Sequence, residues 1–177
     1  LYSMPVAFEV VREAAINWTS GKSAVPPRAA LHAPHADLEL LVMPAVVDGE
    51  YGGVKVWYAN PGSRYLAASS AIAVLIDPVL GEVLLDGSVI TDVRTGAMTG
   101  LAASVLAPTG ATVAAIVGAG IQARTQAIAL AHAVPALEAI KVSSRREAAR
   151  DEFVRQLAAE LSDLGYDIDV QSAPSAE

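Results

Sequence analysis

The chain has 177 residues, enough for one ordinary domain or two small ones. Hydrophobic residues make up 53% of it, which suffices for a packed core and argues against disorder. The formal net charge is −7 and no basic cluster is longer than a pair, which argues against a nucleic-acid partner. Because the chain has no cysteine, disulfides and thiolate chemistry are excluded.

The histidines and the hydropathy pattern bear on metals and membranes. His32, His35 and His132 show no metal-ligand spacing with nearby carboxylates, and Pro34 disfavours a helix that would carry the first two. The sequence therefore predicts no metal site. No run reaches the roughly 20 apolar residues of a membrane span, and no signal peptide is visible. We expect no membrane partner, a cytoplasmic location, and a chain that is truncated at both ends.

The first 109 residues are predicted to form an α+β unit. Residues 4–20 have apolar side chains at helical spacing, with Gly21 as the stop, and SAVPPRAAL reads as an extended segment. Strand-like runs separated by turn residues follow, and IDPVLGEVLL is typical of a hairpin. They cover residues 38–47, 51–59, 70–77 and 82–87. A helix over 88–108, capped by Thr91 or Asp92, completes the unit, whose sheet is expected to be antiparallel or mixed.

From residue 110 the pattern changes to alternating strands and helices. ATVAAIVGAG is an unbroken apolar run, typical of a parallel strand covered on both faces. Helices are predicted over 120–134 and 145–165, the second ending at Gly165, with strands over 136–144 and in YDIDVQS. This β-α-β-α-β order is half of a dinucleotide-binding fold. The chain is therefore assigned to the α/β class, with a first domain over 1–109 and an incomplete Rossmann domain over 110–177.

The glycines of IVGAGIQARTQ follow a predicted strand and open a predicted helix, as the dinucleotide fingerprint requires. Gly118 permits a tight turn, Gly120 lets a pyrophosphate approach the backbone, and Ala123 keeps the helix close to the sheet. The backbone amides of Ile121 and Gln122 then face the anion. The alternative is a plain strand-to-helix turn.

The second predicted strand of this half ends in VSSRRE, where an NAD site usually has an acid that holds the ribose 2′-hydroxyl. Ser144, Arg145 and Arg146 suit a 2′-phosphate instead, so NADP(H) is the preferred cofactor and NAD(H) the alternative. Otherwise the two arginines are a solvated helix start, although cations are mildly unfavourable there.

Six motifs in matching order resemble the ornithine cyclodeaminase/mu-crystallin family over nearly the whole chain. They are VPPR, VMPA, GVKVWYANP, DPVLGEVLLDG, ITDVRTGAMTGLAA and VGAGIQARTQ. The resemblance implies a substrate and dimerisation domain followed by a Rossmann domain. It also implies a homodimer and an NAD(P)-dependent oxidoreductase that acts on the C–N bond of a small α-amino or α-imino acid by hydride transfer at Cα.

By resemblance, Arg28, Lys55 and Arg94 match the family's residues for the substrate carboxylate, and Thr95 is expected to face the cofactor. An arginine fork pairs well with a carboxylate, and a mid-strand ammonium such as that of Lys55 calls for an anionic partner. Lys55 is also a candidate catalytic acid towards the imine nitrogen. From the pattern alone, Lys55 could instead lie on the exposed face of an edge strand. Arg94, read as opening its helix, could instead be a surface cap.

Two departures from the family pattern narrow the expected activity. The cyclodeaminases have a glutamate two positions before Met-Pro, whereas this chain has Leu41 there and Glu39 two residues earlier. This favours a ketimine reductase or amino-acid dehydrogenase. Ornithine cyclodeaminase and a non-catalytic, NADPH-dependent carrier of mu-crystallin type remain as alternatives. The family's catalytic aspartate is expected beyond Glu177.

Overall fold

The computed structural model of the protein describes residues 3–32, 37–47, 49–60 and 69–174. Contacts divide the chain into two units, residues 13–91 and residues 1–12 together with 92–177. The divisions fall inside the first helix, α1 (Met4–Thr19), and inside the second, α2 (Gly87–Leu106). The sequence-based boundary at 109/110 lies between α2 and the strand that follows it, and it stays a prediction.

The unit of residues 13–91 contains an antiparallel six-stranded sheet, one of the two arrangements expected. The strands are β1 (Ser23–Ala24), β2 (Ala29–His32), β3 (Glu39–Val47), β4 (Tyr51–Ala59), β5 (Ser69–Asp77) and β6 (Gly81–Asp86). Their order is β1-β3-β4-β5-β6, and β2 also pairs with β3. The predicted hairpin is confirmed: Asp77 Oδ1 accepts the amides of Val79 and Leu80 at 2.8 Å, and Gly81 closes the turn with φ +78°.

The two faces of this sheet differ in character. In β4, Lys55 lies directly opposite Met43 of β3 and Ala73 of β5, so these three share one face. The other face carries Ile72 and Ile76 of β5 with Leu84 of β6, whose side chains are 48%, 55% and 72% exposed. An apolar sheet face is therefore left uncovered by the described residues.

Helix α2 begins at Gly87, one residue before the predicted range of 88–108, but its cap differs from the prediction. Its cap is Asp86, whose Oδ1 accepts the backbone amide of Ser88 at 2.8 Å. The prediction of Thr91 or Asp92 as the cap was wrong, since both lie inside the helix. Because the helix starts at Gly87, Arg94 lies two turns into it and does not open it.

The unit that holds residues 92–177 has the predicted β-α-β-α-β order. Its elements are β7 (Val113–Val117), α3 (Ile121–Ala133), β8 (Ala139–Ser143), α4 (Glu147–Asp163) and β9 (Asp169–Ala173). The strands are parallel, in the order β7-β8-β9. Gly165, with φ +84°, ends α4, and the amide of Tyr166 reaches back to the carbonyl of Leu161 at 2.9 Å.

The core of this unit lies between the sheet and its two helices. Ile140 and Val142 of β8 and Leu157 and Leu161 of α4 are almost fully buried, each contributing about 1.5–3 kcal/mol. Strand β7 corrects the prediction of burial on both faces, because Val113 and Val117 are 52% and 85% exposed. Among the described residues, β7 pairs with β8 on one side, and the face that carries Ala114 and Ile116 packs on the core.

Candidate functional site

The glycine turn joins β7 to α3 and has the backbone that the fingerprint requires. Gly118 adopts φ +113°, which side chains disfavour, and its amide donates to the carbonyl of Ser143 at 2.7 Å. A Cβ built at Gly118 or Gly120 would meet nothing within 4 Å. The space in front of the turn is therefore open to a ligand.

Helix α3 follows this turn with its amino end unsatisfied. The first backbone hydrogen bond of the helix runs from the amide of Arg124 to the carbonyl of Gly120 at 3.2 Å. The amides of Ile121, Gln122 and Ala123 therefore lack intrahelical partners and can bind an anion. Ala123 is buried, as expected for a residue that holds the helix near the sheet.

Strand β8 ends beside the turn with the Ser-Arg-Arg segment. Ser144 is half-buried, while Arg145 and Arg146 are exposed, and Arg146 occupies the N-cap position of α4 without a side-chain cap bond. Among the described residues, neither guanidinium forms an ion pair. No acidic side chain occupies this stretch of the chain, since Glu147 is the next one along.

A cavity of about 520 Å³ brings these two segments together. It is lined by Val117, Gly118, Ser144, Arg145 and Arg146. The glycine turn, which suits a pyrophosphate, and the two arginines, which suit a further phosphate, therefore line the same cavity. These residues fit a phosphorylated dinucleotide.

Helix α2 packs closely against α3 behind the turn. A Cβ at Gly96 would lie 2.5 Å from the carbonyl oxygen of Thr125, and one at Gly100 would lie 2.9 Å from that of Ala129. Near the start of α3, Gln122 Nε2 donates to Asp92 Oδ1 of α2. The position of the turn's helix is therefore set by α2.

Lys55 lies in the interior of the six-stranded sheet and is half-buried. Its Nζ donates to Oγ1 of Thr91 at 3.0 Å. The alternative of an exposed edge-strand lysine is wrong, because β4 is paired on both sides. The ammonium is thus held in a defined place on the sheet face.

The other predicted substrate and cofactor residues are placed as follows. Arg28 is exposed in the extended stretch before β2, in the same unit as Lys55. Arg94, also exposed, and half-buried Thr95 lie in α2 and belong to the unit with the glycine turn. Neither Arg28 nor Arg94 forms an ion pair with another described residue.

Sequence reasoning missed Thr91 and Asp92 as contact residues, because both were read as helix caps. Their partners, Lys55 and Gln122, are 36 and 30 residues away, and nothing local marks such pairs. Within the described ranges, no three His, Asp or Glu side chains are grouped so as to hold a metal ion. No helix in these ranges is both long and apolar enough to cross a membrane.

The chain is similar in sequence to known proteins. The chain is 34% identical to an alanine dehydrogenase of Archaeoglobus fulgidus over 180 residues, which cover 99% of this chain and 53% of that protein. The chain therefore spans about half the length of this relative.

The solved structures that superpose on the chain include the following two. One is a Delta(1)-pyrroline-2-carboxylate reductase of Thermococcus litoralis in complex with NADH and L-proline, with a TM-score of 0.85 and 30% identity, covering 99% of this chain and 54% of that one. The other is an archaeal alanine dehydrogenase dimer with bound NAD, with a TM-score of 0.81 and 29% identity, covering 99% and 52%. The model of the ornithine cyclodeaminase/mu-crystallin family matches residues 2–177, and the chain belongs to that family.

Proposed function

We propose that the protein is an NAD(P)-dependent oxidoreductase acting on the C–N bond of a small α-amino or α-imino acid. The observation that carries the proposal is the cavity shared by the glycine turn and the Ser-Arg-Arg segment. The amides at the start of α3, from Ile121 and Gln122, would hold the pyrophosphate. When bound, the nicotinamide supplies or accepts the hydride at Cα of the substrate.

We propose NADP(H) as the preferred cofactor, with NAD(H) as the alternative. Ser144 and the guanidinium groups of Arg145 and Arg146 would bind the 2′-phosphate through charge-assisted hydrogen bonds. The absence of an acidic residue there removes a partner for the ribose 2′-hydroxyl. NADPH should therefore bind the full-length protein more tightly than NADH, and fluorescence titration of both measures this. Equal or tighter binding of NADH would reject the preference.

For the substrate, we propose that Arg28, Lys55 and Arg94 bind the carboxylate. Arginine forks suit a planar carboxylate, and neither Arg28 nor Arg94 is engaged in an ion pair with a described residue. Lys55 lies within the sheet with its Nζ held by Thr91 Oγ1 at 3.0 Å, and an ammonium pairs with a carboxylate through charge-assisted hydrogen bonds. Reduction requires a protonated imine, and the Lys55 ammonium is the proposed acid within this chain.

We also propose a homodimer that forms through the first domain. The uncovered face with Ile72, Ile76 and Leu84 is the kind of apolar patch that monomers rarely expose. The archaeal alanine dehydrogenase described above is itself a dimer. Sedimentation of the full-length protein should give twice the monomer mass. Leu84→Glu should lower this measured mass towards that of the monomer.

A turnover assay tests the activity. The full-length protein is incubated with NADPH or NADH and a cyclic ketimine carboxylate, and separately with L-ornithine and NAD⁺. We expect steady ketimine-dependent oxidation of the reduced cofactor, and Lys55→Met should reduce it by at least about a hundredfold. Lys22→Met, at an exposed site, is the matched control.

Each alternative has its own outcome in this assay. Proline and ammonia formed from ornithine, without ketimine reduction, would support an ornithine cyclodeaminase, against which Leu41 argues. Tight cofactor binding without any turnover would support a non-catalytic carrier.

A further inference from the structure

We propose that Thr91 is a positioning residue that fixes the direction of the Lys55 ammonium. Lys55 Nζ donates to Thr91 Oγ1 at 3.0 Å, and Thr91 Oγ1 donates to the carbonyl oxygen of Gly87 at 2.6 Å. A hydroxyl has a single proton to donate, and here Thr91 donates it in the hydrogen bond to the carbonyl of Gly87. The oxygen lone pairs of Thr91 are therefore turned to the ammonium, which can only donate to them.

The anchor beneath this contact is rigid. Gly87 leaves no room for movement towards the sheet, since a Cβ there would lie 2.9 Å from backbone atoms of Ala71 and Ile72. Oγ of the next residue, Ser88, accepts a hydrogen bond from the backbone amide of Ala71 at 3.0 Å. Thr91 is β-branched and bound to its own helix, so its hydroxyl has little freedom. The first turn of α2 thus fixes one acceptor for Lys55.

This contact matters because a lysine side chain has four rotatable bonds and loses rotamer entropy when its ammonium is ordered. If Thr91 orders it beforehand, less of that cost falls on substrate binding or on the transition state. The inference rests on the proposed function, in which Lys55 binds the substrate and donates a proton.

Three variants of the full-length protein test the inference. Thr91→Val keeps the side-chain shape and removes the hydroxyl, whereas Thr91→Ser retains it. Thr99→Val is the matched control, because Thr99 Oγ1 makes the same kind of bond within α2, to the carbonyl of Thr95 at 3.2 Å, without contacting Lys55. We expect Thr91→Val to lower kcat/KM for the imino acid about tenfold, the scale of one hydrogen bond to a charged group. Thr91→Ser and Thr99→Val should stay within about twofold of wild type.

Two further measurements separate positioning from a merely structural role. The Kd for the reduced cofactor alone should be unchanged in all three variants. Labelling by a lysine-directed acylating reagent, quantified by mass spectrometry, should rise at Lys55 in Thr91→Val relative to the exposed Lys22 and Lys141 in the same sample.

Each contrary result has a separate meaning. If Thr91→Val matches wild type while Lys55→Met is inactive, the inference fails and the proposed function stands. Equal losses in Thr91→Val and Thr99→Val, with equal falls in Tm, would reduce Thr91 to a structural residue and overturn it. Full activity of Lys55→Met would reject the proposed role of Lys55 itself, and the inference with it.

Discussion

The side-chain amide of Gln122 donates a hydrogen bond to the carboxylate of Asp92, which joins the first turn of α3 to α2. The same amide group carries a second polar atom, Oε1, which is buried and accepts no hydrogen bond from a described residue. Among the described residues, one polar atom of the Gln122 side chain therefore has a hydrogen-bond partner and the other does not. The contact joins α3 to α2 directly after the glycine turn.

Substitutions at Asp92 should separate the effect of the hydrogen bond from Gln122 Nε2 from the effect of the unpartnered Gln122 Oε1. Asp92→Ala removes the acceptor and leaves both polar atoms of Gln122 without a partner, at a cost of about 1–3 kcal/mol. Asp92→Asn offers an acceptor to Nε2 and a donor to Oε1, so its Tm should equal or exceed that of wild type. Thermal unfolding of the full-length protein measures both variants. If both variants melted at the wild-type temperature, the hydrogen bond would have no role in stability.

Gly96→Ala should destabilise the protein although alanine favours a helix. The new Cβ would lie 2.5 Å from the Thr125 carbonyl oxygen, and this overpacking costs about 1–3 kcal/mol, against roughly 1 kcal/mol gained in helix propensity. Gly100→Ala, at 2.9 Å from Ala129, should cost less. Met98→Ala, on the exposed side of the same helix, is the control. Urea denaturation gives the order, and a stabilised Gly96→Ala would contradict the close packing of α2 on α3.

Replacing Arg145 and Arg146 by alanine should change cofactor choice. We expect the Kd for NADPH to rise at least about tenfold, because each charged hydrogen bond contributes about 1.5–3 kcal/mol, while the Kd for NADH changes little. Arg155→Ala, an exposed arginine of α4 outside the cavity, controls for net charge. Equal weakening of both cofactors would mean that the arginines bind the shared pyrophosphate instead.

Ser172 should contribute to stability in a pH-dependent way. Its hydroxyl donates to Asp151 Oδ1 at 2.7 Å and, with a smaller contribution from Arg150, lowers the pKa of Asp151 below the usual 3.8. A carboxyl whose pKa is lowered by folding stabilises the protein above its unfolded pKa and loses this effect as the pH falls through its folded pKa. Ser172→Ala should therefore have a lower Tm than wild type at pH 7. The gap should shrink as the pH falls below about 3.8. A gap that did not change with pH would point to packing alone.

How far the sequence predicts this structure depends on the range of the interactions involved. The glycine turn, the β5–β6 hairpin and the end of α4 at Gly165 were predicted correctly, because each depends on a few neighbouring residues. The start of α2 was predicted to within one residue, but its cap was misassigned, since Asp86, Thr91 and Asp92 are all competent caps and only the structure shows which of them lies next to the first helical residue.

Burial and long-range pairs could not be predicted in this way. The apolar run of β7 fits a strand buried on both faces, but what covers a strand is decided by distant segments. For the same reason no sequence pattern pairs Lys55 with Thr91 or Asp92 with Gln122. The residues of the candidate site could be proposed from the sequence, whereas the contacts that hold Lys55 and Gln122 could not.

A hydrogen bond from the Gly118 amide to the Ser143 carbonyl ties the glycine turn to the end of the strand that leads into Ser144, Arg145 and Arg146. A substitution that moves one side of this bond is therefore expected to move the other side as well. Redesign of cofactor preference in this protein should therefore be non-additive: changes at the arginines and changes in the glycine turn, combined, will differ from the sum of their separate effects. Libraries that vary both segments together will reach cofactor preferences that stepwise substitution misses.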